Sequence, residues 1–348
     1  MKKVLFATTA LVLTAGTAMA EVKISGSGRV GLTYLEDRSP ATSTTVVTPA
    51  STGFRINQTT GVIEAFTIPA SSVTTTTAEG NDTQVEVRLR FNIDASKETD
   101  AGVTFGGRIR MQYDEGSTGA SLSAAYVYAE ANGFHVEVGN ANAAYDSVAL
   151  MYNSEIGFVG NSQGNPQGSY YGFSSGPYSS AERNRLGIFA SYSVGDLNAR
   201  LSYITPDQTG VNNVDEEISV SFDYKVGQFT VALAAAQNGN GIKNNDLLFL
   251  GAEYALNDST NIGILLNDNG KVGTVDVGNT VTLYGNTKLA SGIGLKGYIT
   301  KIDNNSVKDD IAAGIGADYD LGGATLAGGI ETRFSGQTYA DLGVNFSF

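Results

Sequence analysis

The chain has 348 residues, a formal net charge of −13, and neither cysteine nor tryptophan. Without cysteine it can form neither a disulfide framework nor a thiolate metal site. The acidic balance excludes a typical nucleic-acid-binding protein, which needs clustered lysine and arginine facing the phosphates. Only 16% of the residues are charged, which is low for the surface of a soluble protein.

The first twenty residues predict an export signal. Lys2 and Lys3 form a basic start, an apolar stretch follows, and Ala18-Met19-Ala20 is a small-residue cleavage site before Glu21. The apolar stretch is too short for a membrane anchor. We therefore expect residues 1–20 to be a signal peptide. Its removal would leave 20 basic residues against 35 acidic ones, a net charge of −15.

From Glu21 onward, apolar residues alternate with polar ones in sixteen segments. Alternation over about 8–11 residues predicts β-strands, and tilted strands of this length span a bilayer. The sequence thus predicts an all-β fold, a 16-stranded antiparallel transmembrane β-barrel over residues 21–348. The segments are 22–34, 85–93, 103–113, 122–128, 134–138, 186–192, 197–203, 218–224, 229–235, 248–254, 262–266, 281–289, 293–299, 311–321, 326–334 and 340–348.

One face of these segments is apolar, and tyrosines recur near the segment ends, where rings can lie among lipid headgroups. In the fourth segment this face is predicted to carry Leu122, Ala124, Tyr126 and Tyr128. The predicted partners of the apolar face are therefore outer-membrane lipids.

The connections alternate between short and long. Asn132-Gly133 and Gly195-Asp196 are typical hairpin turns, whereas 140–184 is long. Short turns at one end and long loops at the other are typical of an outer-membrane barrel. The other long connections are 36–82, 206–216, 267–277 and 303–310; loops 116–120 and 335–337 are short where a long one is expected, and 95–102 is longer than a tight turn. We expect 36–82 to be a long external loop with a hairpin around Phe54 to Phe66.

Arginines share the polar face of the first three segments. Their alternate positions point them to one side, and an arginine facing lipid costs about 2–4 kcal/mol at the midplane, so they face the lumen. We interpret them as the basic wall of a pore constriction; the alternative is ordinary hydrophilic lining. The residues are Arg88, Arg90, Arg108 and Arg110, with Arg29 on the first segment.

The long loop 140–184 supplies candidate acidic groups for the opposite side of this constriction. Loops of such length inside a regular fold are usually functional. If the loop folds into the lumen, Asp146 and Glu155 would face the arginines. The alternative is an external loop that covers the mouth of the barrel.

Three stretches resemble one protein family: the mature start at 21–26, Gly133 to Gly139 before the long loop, and the end at 339–348. With the strand count, they resemble the sixteen-stranded trimeric porins of Gram-negative bacteria, particularly the alpha-proteobacterial branch. The resemblance implies a homotrimer and a loop after strand five that folds inward, with acidic groups facing an arginine cluster. It also implies that the outer-membrane assembly machinery reads the terminal strand ending at Phe348.

The function predicted is passive diffusion of small hydrophilic solutes and ions across the outer membrane of a Gram-negative bacterium. A substrate-selective channel for sugars or anions and a structural or adhesive barrel remain open. An enzyme is not predicted, because His135 is the only histidine and lies where a polar wall residue is expected. No cofactor is expected to be required, although the loop from Asp303 to Asp310 could bind Ca²⁺.

Overall fold

The computed structural model describes residues 20–39, 42–56, 63–77, 80–180, 182–211, 214–273 and 275–348. The predicted signal peptide lies outside the described residues apart from Ala20. Sixteen strands of the described residues form one sheet, with β4 in two pieces. They are β1 (Glu21–Leu35), β2 (Thr83–Glu98), β3 (Thr104–Asp114), β4 (Ser121–Leu122 and Tyr126–Ala131), β5 (Phe134–Gly139), β6 (Leu186–Val194), β7 (Leu197–Thr205), β8 (Glu217–Val226), β9 (Phe229–Gln237), β10 (Leu247–Asn257), β11 (Thr260–Asp268), β12 (Asn279–Lys288), β13 (Ile293–Ile302), β14 (Ile311–Asp320), β15 (Ala324–Thr332) and β16 (Thr338–Ser347).

Successive strands pair with each other, and β1 also pairs with β16. At this seam, Gly26 N–H donates to the Phe348 carbonyl (2.7 Å) and Phe348 N–H donates back to the Gly26 carbonyl (2.9 Å). The sheet therefore closes on itself, which removes the exposed edges that an open sheet would carry. The prediction of a sixteen-stranded antiparallel barrel is confirmed.

The two faces of each strand differ in burial, as β8 illustrates. Ile218 and Phe222 are each 46% exposed, whereas Glu217, Ser219 and Ser221 on the other face are at most 1% exposed. Successive side chains of a strand point to opposite faces. The apolar face of β8 is thus the outer surface, and its polar face is turned inward.

Strand β4 reverses its faces part-way along. Met111 pairs with Leu122 on β4. Arg108, three residues earlier on β3, pairs with Tyr126, which is four residues later on β4 rather than three. One extra residue therefore lies between the two pieces of β4, and a shift of one residue exchanges the faces of a strand. Tyr126 is only 9% exposed, and Val127 is 61% exposed. The prediction that Tyr126 shares the outward face is wrong for this reason.

The connections at one end of the barrel are tight, and we call this the turn end. Asn132 and Gly133 have φ values of 50° and 83°, which suit the turn types that join twisted strands. The predicted longer connection 95–102 is corrected: β2 continues to Glu98, and residues 99–103 form a short turn.

The opposite end carries the longer connections. The connection between β9 and β10, residues 238–246, belongs among them and includes the 3₁₀ turn Gly239–Gly241. The next connection, after β11, contains a small hairpin in which Lys271–Val272 pairs with Val275–Asp276.

Residues Leu35–Gln84 form a compact unit of their own. Within it, Thr42–Thr48 pairs with Ser71–Thr77, and Ser51–Ile56 pairs with Ile63–Ile68. The inner hairpin pairs Phe54 with Ala65, in the region where the sequence predicts a hairpin. The external position of 36–82 stays a prediction.

The largest buried apolar cluster lies inside the barrel. Residues of the long connection 140–184, including Tyr145, Met151 and Ile156, pack there with Phe249, Leu265 and other inward residues of β9–β13. Among the described residues, no helix is long and apolar enough to cross a membrane.

Candidate functional site

The long connection, residues 140–184, contacts inward-facing side chains of successive strands; we call it the internal segment. Ala144 N–H donates to Ser202 Oγ on β7 (2.9 Å), and Asn153 Nδ2 donates to Glu253 Oε2 on β10 (2.9 Å). Contacts of the same kind join Tyr145 to Ser219, Ala149 to Asp223 and Gln163 to Tyr298. The segment thus follows the inner wall, since these partners share the inward faces of their strands.

The tip of the internal segment, residues 156–159, is held by β16. Phe158 N–H donates to Asp341 Oδ1 and Val159 N–H donates to Asp341 Oδ2, both over 3.2 Å. Asn345 Nδ2 donates to the Phe158 carbonyl over 2.8 Å. Two side chains of β16 therefore bind three consecutive backbone groups of the tip.

Glycines of the wall leave room for the tip. A Cβ atom at Gly31 or Gly343 would lie 2.7 Å from the Phe158 ring, and one at Gly314 would lie 2.6 Å from Ile156 Cδ1. These distances are shorter than van der Waals contact, so larger residues would displace the tip. The glycines of β1, β14 and β16 consequently let the segment lie directly on the wall.

The second half of the internal segment returns along the long-loop side. Gln167 N–H donates to Asn269 Oδ1 (2.8 Å), and Tyr171 N–H donates to Glu217 Oε2 (2.8 Å). Glu217 is fully buried. A buried carboxyl group that accepts backbone N–H groups anchors the segment, because leaving those buried groups without a partner would cost about 1–3 kcal/mol each.

The four predicted arginines of β2 and β3 form a ladder across the two strands. Each one lies directly opposite an oxygen-bearing side chain of the neighbouring strand, and each Nε donates to that side chain. The pairs are Arg88 with Asp114 (2.6 Å), Arg90 with Gln112 (2.6 Å), Arg108 with Asp94 (2.6 Å) and Arg110 with Asn92 (2.8 Å). The positive charges of the other three arginines repel that of Arg110. The four side chains are therefore close enough to interact electrostatically.

Arg29 on β1 extends this ladder. Its Nη2 lies 2.5 Å from Glu86 Oε1, and its Nη1 donates to the Val159 carbonyl of the internal segment over 3.3 Å. The five arginines face three paired carboxylates, Glu86, Asp94 and Asp114. We call the five arginines the basic wall; with those carboxylates its net charge is +2.

The internal segment touches the basic wall at a second point, Arg110. Arg110 Nη1 donates to Ser175 Oγ over 2.8 Å, and its guanidinium lies 4.4 Å from the centre of the Phe173 ring. Sequence reasoning missed Phe173, Ser175 and Val159 as partners of the arginines. The aromatic residues around Phe173 are the one sequence feature that could have indicated such a contact. A backbone carbonyl and a serine have no distinctive sequence pattern.

The two predicted acidic residues lie on the internal segment but bind other parts of it. Asp146 Oδ1 accepts a hydrogen bond from the Tyr152 hydroxyl (2.5 Å), and Glu155 Oε1 accepts one from Asn165 Nδ2 (2.9 Å). Burial raises the pKa of Glu155, although Asn165 and Lys296 act in the opposite direction. Among the described contacts, neither carboxylate touches an arginine of the basic wall.

A row of aromatic side chains lies beside the basic wall. Phe173 and Tyr126 have ring centres 6.0 Å apart, and Tyr128 stacks on His135 at 5.1 Å. The His135 nitrogens lie 3.2 Å from Glu130 and 3.0 Å from Glu137. His135 is therefore a hydrogen-bonded wall residue.

In the loop from Asp303 to Asp310, where no cofactor is expected to be required although Ca²⁺ could bind, the first and last carboxylates contact other residues. Asp303 binds the backbone and side chain of Asn279, and Asp310 pairs with Lys301 over 3.2 Å. Among the residues that the structure describes, no group of three or more histidines, aspartates or glutamates is arranged to hold a metal ion. Calcium binding at this loop has no support in these contacts.

A closed barrel with an apolar outer face and a polar lumen is a membrane channel of the outer-membrane type. Comparison with known proteins identifies the family to which the chain belongs. The family model of Gram-negative porins matches residues 7–337. The chain therefore belongs to the Gram-negative porin family.

Individual relatives agree with this assignment. A porin of Fuscovulum blasticum is 35% identical over 333 residues, covering 94% of this chain and 100% of the relative. Solved structures of a double mutant of Rh. blastica porin and a triple mutant of Rhodopseudomonas blastica porin each have a TM-score of 0.78. Each is 35% identical, with 94% of this chain and all of the other covered.

These findings confirm the predicted family and function. The protein is a general porin, a passive diffusion channel across the Gram-negative outer membrane, and is not an enzyme. Of the readings that the sequence left open, passive diffusion is the one supported.

Proposed function

We propose that the internal segment and the basic wall together form the narrowest part of the pore, and that the arginines make it prefer anions. The supporting observation is that the segment contacts the wall at two separate points, Val159 on Arg29 and Ser175 on Arg110. The net charge of the mature chain would favour cations, but exposed charges are screened beyond about 8–10 Å. Charges at the narrowest point therefore dominate the choice of ion.

The test is charge reversal at Arg90 and Arg110 together. Their partners, Gln112 and Asn92, are neutral amides, so reversal leaves no carboxylate without its partner. The R90E/R110E protein should shift the reversal potential in a salt gradient toward cations. The matched control, K243E/K308E, changes two loop lysines and should leave the reversal potential nearly unchanged. Equal shifts in both variants would contradict the proposal.

Asp146 and Glu155 form the acidic side of the same constriction in this proposal. They are carried by the segment that touches the basic wall, and their carboxylates are oriented by Tyr152 and Asn165. A D146N/E155Q protein should shift the reversal potential toward anions, opposite in sign to the arginine variant. Shifts of the same sign would contradict this role.

The functional assembly proposed is a homotrimer. Its support is the likeness to trimeric porins and the continuous apolar outer face, part of which three barrels could share. Unheated samples in mild detergent should migrate as one species at three times the monomer mass, and heating should convert this species to monomer. Monomer alone without heating would contradict the trimer.

Targeting completes the proposal: residues 1–20 direct export, and the strand ending at Phe348 is read by the outer-membrane assembly machinery. The pairing of Phe348 with Gly26 supports this, because Phe348 takes part in the contact between β16 and β1 that closes the barrel. Removing Phe348 should reduce the amount of assembled protein in the outer membrane while export continues. An unchanged assembled amount would contradict this role.

A further inference from the structure

We propose that the lumen between the internal segment and the turn end contains an anion-binding vestibule, formed by Lys225, Lys288 and Lys296. Its ligands would be small oxyanions with two negative charges, such as phosphate and phosphate monoesters. The inference goes beyond the constriction, because these lysines lie on β8, β12 and β13, whereas the basic wall lies on β1, β2 and β3.

The three lysines face the lumen. Lys225 lies two positions from Asp223, and Lys296 lies two positions from Tyr298; both of these residues bind the internal segment. Lys288 lies two positions from Asn286, which donates to the Asn153 carbonyl of the segment. Because every second residue of a strand points to the same face, all three lysines share the inner face.

The three lysines lie between the internal segment and the turn end of the barrel. Lys225 is the second-last residue of β8, Lys288 is the last residue of β12, and Lys296 is the fourth residue of β13. All three therefore lie near the tight turns at 227–228 and 289–292. Two residues along a strand correspond to about 7 Å. The lysines therefore occupy the next layer of the lumen beneath the contacts of the segment.

One cavity of about 540 Å³ is lined by all three lysines. The amides of Asn261 and Asn286 line it too, with hydroxyls from Ser259, Thr260 and Thr287. Lys296 also lines a neighbouring cavity with Gly157 from the tip of the internal segment. The vestibule thus continues from the constriction.

The charge of the cavity favours anions. In the described part of the chain, none of the three lysines forms an ion pair within 4.0 Å, unlike Arg29, Arg88 and Arg108 of the basic wall. Two carboxylates, Asp258 and Asp318, line the same cavity, and Lys296 also attracts Glu155. Three ammonium groups against the two lining carboxylates leave a net charge of +1.

Dianionic oxyanions fit this arrangement better than chloride. A phosphate monoester carries about −1.5 to −2 charges at pH 7 and three strong acceptor oxygens. Lysine binds phosphate as a point charge with three rotatable donors, so a cavity lined by lysines can hold such an ion without precise geometry. Amide and hydroxyl groups supply further donors for the remaining oxygens.

The experiment is block of chloride current by inorganic phosphate at pH 7.5, using the refolded mature protein in a planar bilayer. Phosphate added to the side facing the turn end should reduce single-channel chloride conductance in a saturable way. In the triple variant Lys225→Gln, Lys288→Gln and Lys296→Gln, the half-blocking concentration should rise roughly tenfold or more, as expected when several charge-assisted contacts are lost.

The matched control replaces Lys243, Lys301 and Lys308 by glutamine, which removes the same charge at the long-loop end. This control should keep the phosphate block of the wild type. An open channel without saturable block, or equal loss of block in both triple variants, would overturn the vestibule while leaving the diffusion channel intact. A wild-type protein without any conductance would instead contradict the channel function itself.

Discussion

Asp341 accepts a hydrogen bond from the backbone N–H of Phe158, a residue 183 positions earlier in the chain, over 3.2 Å. The second carboxylate oxygen binds the next N–H group, that of Val159. A single side chain on the last strand therefore binds two consecutive N–H groups of the tip of the internal segment. This contact fixes how far the segment extends across the lumen.

Replacing Asp341 by alanine should loosen the tip. The buried N–H of Phe158 and the partly buried N–H of Val159 would lose their acceptor, and a buried unsatisfied group costs about 1–3 kcal/mol. We expect larger open-channel current fluctuations and a higher mean conductance in single-channel recordings. The Asp196→Ala variant, at a turn, is the control and should conduct like the wild type. A quiet channel of wild-type conductance in the Asp341 variant would show that the tip is held by other contacts.

Glu155 predicts a pH dependence of ion selectivity. Burial raises the pKa of its carboxyl group above the ordinary value, so it takes up a proton at a higher pH than an exposed glutamate, whose pKa is about 4.3. As the pH falls toward the raised pKa, the segment loses one negative charge and anion preference should increase. Reversal potentials between pH 4 and pH 8 measure this effect.

The same shift has a consequence for stability. A raised pKa means that the folded state binds the proton more tightly than the unfolded state, so Glu155 stabilises the fold below the ordinary pKa and this contribution is lost as the pH rises through the raised value. Glu155→Gln should flatten both pH profiles, whereas Glu115→Gln at an exposed turn should not. Identical profiles for the wild type and the Glu155 variant would contradict the assignment.

The seam between β1 and β16 predicts a folding defect. A Cβ atom at Gly26 would lie 2.4 Å from the ring of Phe348, which also packs edge-on against Phe91 at 5.4 Å. Gly26→Val should therefore lower the yield of heat-modifiable barrel on gels after refolding. Gly119→Val has open space around its Cβ position and should refold normally. A normal yield for the Gly26 variant would show that the ring can move away without cost.

The reversed faces of β4 can be tested with single cysteines, because the chain contains none. A cysteine at Tyr128 should react with a water-soluble thiol reagent from the lumen, and one at Val127 should not. In a bilayer, the cysteine at Val127 should instead be accessible to a lipid-soluble reagent. The opposite reactivities would contradict the face reversal and would indicate that the faces alternate without interruption from Leu122 to Tyr128.

The barrel fold can be predicted from the sequence because the pattern that indicates it lies within single short segments. Alternation in segments such as 218–224 reports directly which side chains meet lipid, and the turn glycines mark the hairpins. The face reversal in β4 was not readable, since one extra residue between Leu122 and Tyr126 changes the pairing without changing the composition. The sequence pattern predicts too short a β2, because the mostly polar stretch from Asp94 to Glu98 continues the strand beyond its apolar part.

The site was only partly readable for a different reason. Period-two spacing places the arginines of β2 and β3 on one face, but their cross-strand partners depend on register. Long-range contacts such as Asp341 with Phe158 leave no pattern in the sequence, because a single aspartate in a strand resembles any lumen residue. The role of Gly31 and Gly343 in leaving room for the Phe158 ring likewise cannot be predicted from the sequence, because it depends on where the tip lies.

The most direct test is the single-channel conductance of the mature protein with and without residues 147–166 of the internal segment, which include its tip. In the variant, residues 147–166 are replaced by a short glycine–serine linker, and heat-modifiable mobility on gels verifies that the barrel has formed. We expect a clearly larger conductance and weaker ion selectivity in the variant. A folded variant with unchanged conductance and selectivity would contradict the claim that this segment narrows the pore.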